Sequence, residues 1–144
     1  MFSKACEYGI KASVYIVEQS LKNEKVSLKE VAKAIDSPEA YTSKILQQLS
    51  RDQIIQSEKG PTGGFSISKS KINKVSLSNI VYAIDGDSIY KGCGLGFHQC
   101  DERKPCVIHH QYVSIRDEVK SMLEDTLLVD LSKDIDEGLS FLKR

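Results

Sequence analysis

Residues 27–49 read SLKEVAKAIDSPEAYTSKILQQL and residues 59–65 read KGPTGGF, and these two stretches decide the fold. Ser27 sits at a helix N-cap position with Glu30 three residues on, the spacing at which each side chain bonds the other's backbone amide. Leu28, Val31, Ala32 and Ile35 fall at helical steps behind it, and the helix ends near Asp36. Ser37 and Pro38 restart the chain as N-cap and first helical residue, because proline lacks an amide that the first turn leaves unbonded anyway. Tyr41, Ile45, Leu46 and Leu49 then form an inward stripe. Two short helices joined by a tight turn predict a helix-turn-helix.

The outward face of the second of these helices carries Glu39, Ala40, Thr42, Ser43, Lys44 and Gln47, with Tyr41 at its border. Small and hydrogen-bonding groups of this kind let a helix approach base edges in a major groove, so it is read as the recognition helix. Ile54–Glu58 and Phe65–Ser68 read as strands bracketing the glycine-rich turn, which makes a wing. Lys59, Gly60, Thr62, Gly63 and Gly64 are its expected DNA contacts. Lys69, Lys71 and Lys74 follow closely, suited to phosphates that fix register without reading sequence.

Outward from this centre, Ala5, Tyr8, Ala12, Tyr15 and Ile16 mark a first helix from Ser3 to about Leu21. Ser76 caps a helix running through Asp85, which Gly86 stops. Ile108, Tyr112, Ile115, Val119, Met122 and Leu123 mark a long helix from Cys106 to about Leu123, with a stripe too long for so small a domain to cover. A partner chain is expected on that stripe, and Thr126 begins a last short helix. The expected fold is mainly α with a small β wing. A winged helix-turn-helix occupies 1–85, a cysteine-rich loop 86–105, and a dimerisation helix with a C-terminal tail 106–144.

Three of the four cysteines, Cys93, Cys100 and Cys106, are separated by gaps of six and five residues, and His109 follows. Thiolates with an imidazole suit zinc or an iron-sulfur cluster. Cys6 lies among apolar residues of the first helix and reads as a small buried hydrophobe. The chain is neutral, with 20 basic and 20 acidic residues. The halves differ, however: residues 1–74 hold 12 Lys and Arg against 8 Asp and Glu, and residues 75–144 hold 8 against 12. Position thus favours a nucleic-acid face in the first half. No apolar run approaches the roughly 20 residues of a membrane span, and the N-terminus lacks a secretory pattern, so a cytoplasmic protein is expected. In a reducing compartment clustered cysteines bind metal or do redox chemistry more often than they form structural disulfides. No Cys-x-x-Cys pair, βαβ pattern or phosphate-binding loop points to an enzyme.

Taken together, Tyr8-Gly9, the Ser27–Leu49 helices, the Lys59–Phe65 wing, the cysteine triad and the helix after it resemble the Rrf-two family of transcription regulators, over nearly the whole chain. The resemblance implies a homodimer whose long helices cross, bound to double-stranded promoter DNA, with an iron-sulfur cluster controlling that binding and cluster-assembly proteins as further partners. It places Cys93, Cys100 and Cys106 at the family's cluster cysteines and His109 at the histidine ligand of the IscR branch, which implies a 2Fe-2S cluster. Glu7 falls where the NsrR branch carries an aspartate reaching the cluster from the other subunit, which implies 4Fe-4S instead. His109 is favoured, since Cys106 and His109 at i and i+3 would share one helical face; His98 and His110 are weaker candidates. Two departures stand out: the Cys93–Cys100 gap is one residue longer than usual, and Lys59 replaces the common wing arginine, without its bidentate geometry. A structural zinc site or a cluster-free thiol redox switch at the same cysteines is the alternative.

Overall fold

A computed structural model describes residues 1–144. Seven helices and one two-stranded sheet follow in the order α1 (Lys4–Leu21), α2 (Leu28–Ala34), α3 (Glu39–Arg51), β1 (Gln56–Glu58), β2 (Gly64–Ser66), α4 (Leu77–Asp85), α5 (Ser88–Lys91), α6 (His109–Asp125) and α7 (Leu128–Asp136). The fold is a winged helix, mainly helical with a small antiparallel sheet.

Helix α1 starts where Ser3 accepts the Cys6 amide at 3.0 Å, and its buried face (Cys6, Gly9, Ala12, Ser13, Ile16 and Val17) consists largely of small side chains. Small residues let other helices come close: a Cβ placed on Gly9 would stand 2.2 Å from Ile84 Cδ1 and 3.4 Å from Ile45 Cγ2. Around this face gather α2, α3, α4, α7 and β2. The capping box of α2 forms as expected, with the Ser27 amide donating to Glu30 at 2.6 Å and the Glu30 amide to Ser27 Oγ at 3.2 Å. The turn to α3 passes through Asp36 in the left-handed region, φ 52°, closed by the Ser37 amide on the Ala32 carbonyl.

Several expectations shift. Pro38, not Ser37, is the N-cap of α3; the Ser37 hydroxyl bonds Thr42 instead of the backbone. Ile54 and Ile55 are not strand: their amides return to the Leu49 carbonyl as the close of α3, and Ile55 joins the core. The strands are therefore short, paired Gln56 with Ser66 and Glu58 with Gly64. After β2 the Ile67 amide turns to Ser20 Oγ on α1. The loop expected at 86–105 contains the four-residue helix α5. Helix α6 begins at His109, three residues later than the periodicity suggested.

The C-terminal segment departs most from a tail. Leu77 donates to the Thr126 carbonyl at 3.0 Å and Leu128 to the Val75 carbonyl at 2.9 Å, a backbone bridge that turns α7 back onto α1. Leu128, Val129 and Ser132 are buried there, and Leu128 and Val129 belong to the main core with Ile16, Val17, Leu46 and Leu49. The stripe of α6 divides. Leu123 is buried against Cys6 and Val81, with Val119 packed on that cluster, while Ile108, Ile115 and Met122 remain exposed. Covering by the chain itself thus accounts for one end of the helix only.

Because Leu128 is fully buried in the main core, Leu128→Ala is expected to lower unfolding stability by about 2–5 kcal/mol. Urea unfolding followed by circular dichroism checks this; an unchanged midpoint would mean that α7 does not belong to the folded unit.

Candidate functional site

Helix α3, expected to be the recognition helix, presents Glu39, Ala40, Tyr41, Lys44 and Gln47 to solvent, with Ser43 half-buried and holding the Gln47 amide group at 3.2 Å. Thr42 does not join them. It is 0% exposed, its hydroxyl bonded to the Pro38 carbonyl at 2.9 Å and to Ser37, so it fixes the first turn instead of lying on the outward face expected for it. Tyr41 lies at the border, its ring set edge-on to Tyr8 of α1 at 5.7 Å between centroids. In the wing Lys59, Gly60 and Thr62 are exposed, whereas Gly63 and Gly64 are half-buried. A Cβ on Gly63 would fall 2.1 Å from the Glu58 carbonyl oxygen, so the tight turn itself demands glycine there. Lys25 pairs at 2.5 Å with Glu58, the last residue of β1 before the wing turn. Lys69, Lys71 and Lys74 are all exposed; Lys71 donates to the Gln53 carbonyl, and Lys69 and Lys74 make no side-chain hydrogen bond within the chain.

The second cluster lies between α5 and α6. The Cys93 sulfur accepts backbone amides, Leu95 first and then Phe97 and Gly96, together with the Cys106 side chain. Donors aimed at a sulfur favour its anion, and they hold the Cys93 thiol below the ordinary cysteine range. Cys100 Sγ stands 3.5 Å from Nδ1 of His109, whose ring is only 6% exposed. Cys106 is not on α6: it lies in the turn before it, its carbonyl accepting the His109 amide at 3.0 Å while its side chain turns back to Cys93. The shared helical face expected for Cys106 and His109 is therefore replaced by a Cys100–His109 contact. His98 and His110 are exposed. Glu7, on α1, is bonded to Lys4 at 2.6 Å, which lowers its carboxyl below the usual range.

Two contacts seat the loop on α6. Arg116 Nη1 donates to the Gly92 carbonyl at 3.0 Å, and Gly94 lies against the Tyr112 ring, where a Cβ would come within 2.7 Å. His109, Tyr112 and Arg116 share one face of the helix, and that spacing was available in the sequence although it drew no notice there. A cleft of about 600 Å³ lined by Tyr90, His98, Cys100, Arg103 and Arg116 opens on one side. A second cavity of about 280 Å³, lined by Cys100, His109, Val113 and Arg116, lies on the other. The donors stand as two pairs, Cys93 with Cys106 and Cys100 with His109, and no three close on a common point. Three thiols, one already biased toward its anion, and a buried imidazole fit the donor chemistry of a zinc or iron-sulfur centre.

A family model described as Rrf2, iron-dependent transcriptional regulator, matches residues 2–134. The chain belongs to the Rrf2 family of DNA-binding transcriptional regulators. A protein named as an HTH-type transcriptional regulator in Aquifex aeolicus (strain VF5) is 28% identical over 133 residues, spanning 91% of this chain and 90% of that one. Among solved structures, CymR (YrzC), the global cysteine regulator of B. subtilis, has a TM-score of 0.74 at 22% identity, covering 92% of this chain and 96% of that one. T. potens IscR also has a TM-score of 0.74, at 18% identity, covering 97% of this chain and 91% of that one. At these identities the two structures show the fold. Rrf2 regulators bind DNA and typically act as dimers. No helix of this member is long and apolar enough to cross a membrane.

Within this Rrf2 chain the cysteines lie in contrasting environments. Burial, aided by the nearby Asp85 carboxylate, pushes the Cys6 thiol up to about 12, whereas Cys93 is lowered by its ring of amides. Brief iodoacetamide treatment of reduced, metal-stripped protein at pH 7.5 is expected to label Cys93 at least about tenfold faster than Cys6, since only the thiolate attacks. Peptide mass spectrometry reads the ratio; equal rates would contradict the assigned environments.

Proposed function

We propose that this Rrf2 regulator binds promoter DNA as a homodimer under the control of an iron-sulfur cluster held by Cys93, Cys100, Cys106 and His109. The observation that carries this reading is the donor arrangement: a sulfur ringed by backbone amides and paired with Cys106, beside a thiol paired with a buried imidazole. His109 is the fourth ligand, which favours 2Fe-2S. Its ring belongs to the same loop-and-helix unit as the thiols, while Glu7 is engaged with Lys4 and would serve only from the other subunit, the 4Fe-4S arrangement. When bound, such a cluster supplies a centre that responds to cluster supply, redox state or nitric oxide.

The chain's own residues carry the consequence. Arg116 and Tyr112 tie the loop to α6, and Leu123 and Val119 tie α6 to Cys6 of α1 and Val81 of α4. Helix α1 in turn supports α3 through the Tyr8–Tyr41 pair and Ile45. A shift of the loop is thereby felt at the recognition helix, which lies in a major groove while Lys59, Gly60 and Thr62 of the wing meet phosphates. The exposed Ile108, Ile115 and Met122 of α6 form the face that meets the second protomer, and cluster-assembly proteins are the partners that load the site.

One observation favours a second reading: the Cys106 side chain is near enough to Cys93 to help hold its thiol below the ordinary range. In the absence of a cluster, a hydroperoxide taking two electrons from these thiols would leave a disulfide, an alcohol and water, a thiol switch at the same place. The same donors would also close around a structural zinc ion.

Anaerobic isolation is expected to give a coloured protein with about two iron and two sulfide per chain, and Cys100→Ala to lose both. Protein without iron or sulfide, whose promoter binding Cys100→Ala leaves unchanged, contradicts the cluster reading. About one zinc per chain in its place establishes the zinc alternative.

A further inference from the structure

Lys4, Tyr8 and Lys11, at i, i+4 and i+7, run along one face of α1. Tyr8 is the member that reaches the recognition helix, its ring edge-on to that of Tyr41 in the first turn of α3. Both lysine ammonium groups lie over the Tyr8 ring, at 5.9 Å for Lys4 and 5.8 Å for Lys11. They differ in how their charge is met. Glu7 holds the Lys4 ammonium at 2.6 Å, so that charge is already answered. Lys11 has no carboxylate within ion-pairing distance, and Glu7, the acid close enough to feel its charge, is the one taken by Lys4.

An unanswered cation is thus held by an aromatic platform beside the N-terminal turn of the recognition helix. With it stand the hydroxyls of Tyr8 and Tyr41, neither of which has a hydrogen-bond partner within the chain. The wing follows the opposite, C-terminal end of α3. One cation and two hydroxyl donors on rigid helix positions complement a row of phosphates, whose oxygens accept from lysine and tyrosine without regard to base sequence.

We infer that Lys11, with Tyr8 and Tyr41, forms a second phosphate-holding patch that grips the DNA backbone at the end of the recognition helix remote from the wing. The inference rests on α3 being the helix that enters DNA. It assigns α1 a direct part in binding, and it gives the Tyr8–Tyr41 contact two tasks: orienting α3 against α1 and presenting donors to the backbone.

The experiment uses the full chain and two duplexes of 30 base pairs, one recovered by the wild-type protein from a random-sequence library and one of scrambled sequence. Lys11→Ala is expected to weaken both by a similar factor, about 3- to 10-fold near 100 mM salt, and to make the slope of log K against log salt shallower by about one per protomer. Lys11→Arg should restore both. Tyr8→Phe and Tyr41→Phe, which keep the rings, should each weaken both duplexes by a smaller factor. Where alanine changes the thermal melt, Lys11→Gln replaces it. Affinity and salt slope equal to wild type overturn the inference. So does a loss confined to the recovered duplex at unchanged slope, or a change in oligomeric state at unchanged DNA affinity, which would mean that the patch meets another copy of the chain. If the wild-type protein recovers no duplex at all, the DNA reading of α3 fails first, and that outcome is distinct from a wild-type protein that binds and a Lys11 variant that matches it.

Discussion

The close approach permitted by the small buried residues of α1 is the constraint on which the rest depends. Gly9, Ala12 and Ser13 leave room for α3, α4 and α7 to meet one helix at short range, and Ile84 occupies the space that a side chain at Gly9 would need. A protein interior is packed too densely for such a contact to deform gradually. Under the proposed function, a displacement of α1 would be passed to α3 through the Ile45 and Tyr41 contacts, and elements anchored to α1 would share in it. Helix α6 is so anchored, through Leu123 and Val119 against Cys6 and Val81.

The cysteine loop and helix α3 are the two ends of one series of contacts, from Arg116 and Tyr112 through Leu123 and Cys6 to Tyr8 and Tyr41. The loop has little core of its own: Leu95, Phe97 and Val107 are exposed, and its hold on α6 comes from Arg116 at Gly92 and from Tyr112 under Gly94. A segment so lightly held changes shape at small cost when its sulfurs acquire or lose a common partner. Helix α3 and the wing are more firmly built, with Thr42 buried in the first turn of α3 and Gly63 filling a turn that admits no side chain. In the proposed regulator this arrangement joins a lightly held loop to a well-packed α3 through α6 and α1, so that two loop states would give two orientations of α3.

Much of this was legible in the sequence because it follows from local rules. The Ser27–Glu30 box, the stop at Gly86, the wing glycines and Ile45, Leu46 and Leu49 of α3 depend on spacing alone and the structure follows them, whereas Tyr41, expected on the same inward stripe, is exposed. What depends on which surfaces meet was less legible. Thr42 has a polar side chain at a helical position that borders both faces, and only its bonds to Ser37 and Pro38 decide that it turns inward. Cys106, expected to open α6, lies before it, on the side of Cys93. Helix α7 carries an apolar stripe of its own, yet its return to α1 depends on the backbone bridge between Val75 and Leu128, which no short-range pattern announces. The free charge of Lys11 likewise appears only once Glu7 is seen to be taken by Lys4.

The claim that the cysteine loop governs the recognition helix is tested most directly by DNA affinity in two states of one preparation, measured anaerobically on the same duplex and at the same salt before and after the metal centre is removed by chelation. The account predicts affinities that differ by about 5-fold or more, the ordinary scale of coupling between two sites. Equal affinities in a preparation whose iron is shown to be present and then absent would contradict it, because a centre bound equally well in both states of the protein shifts neither.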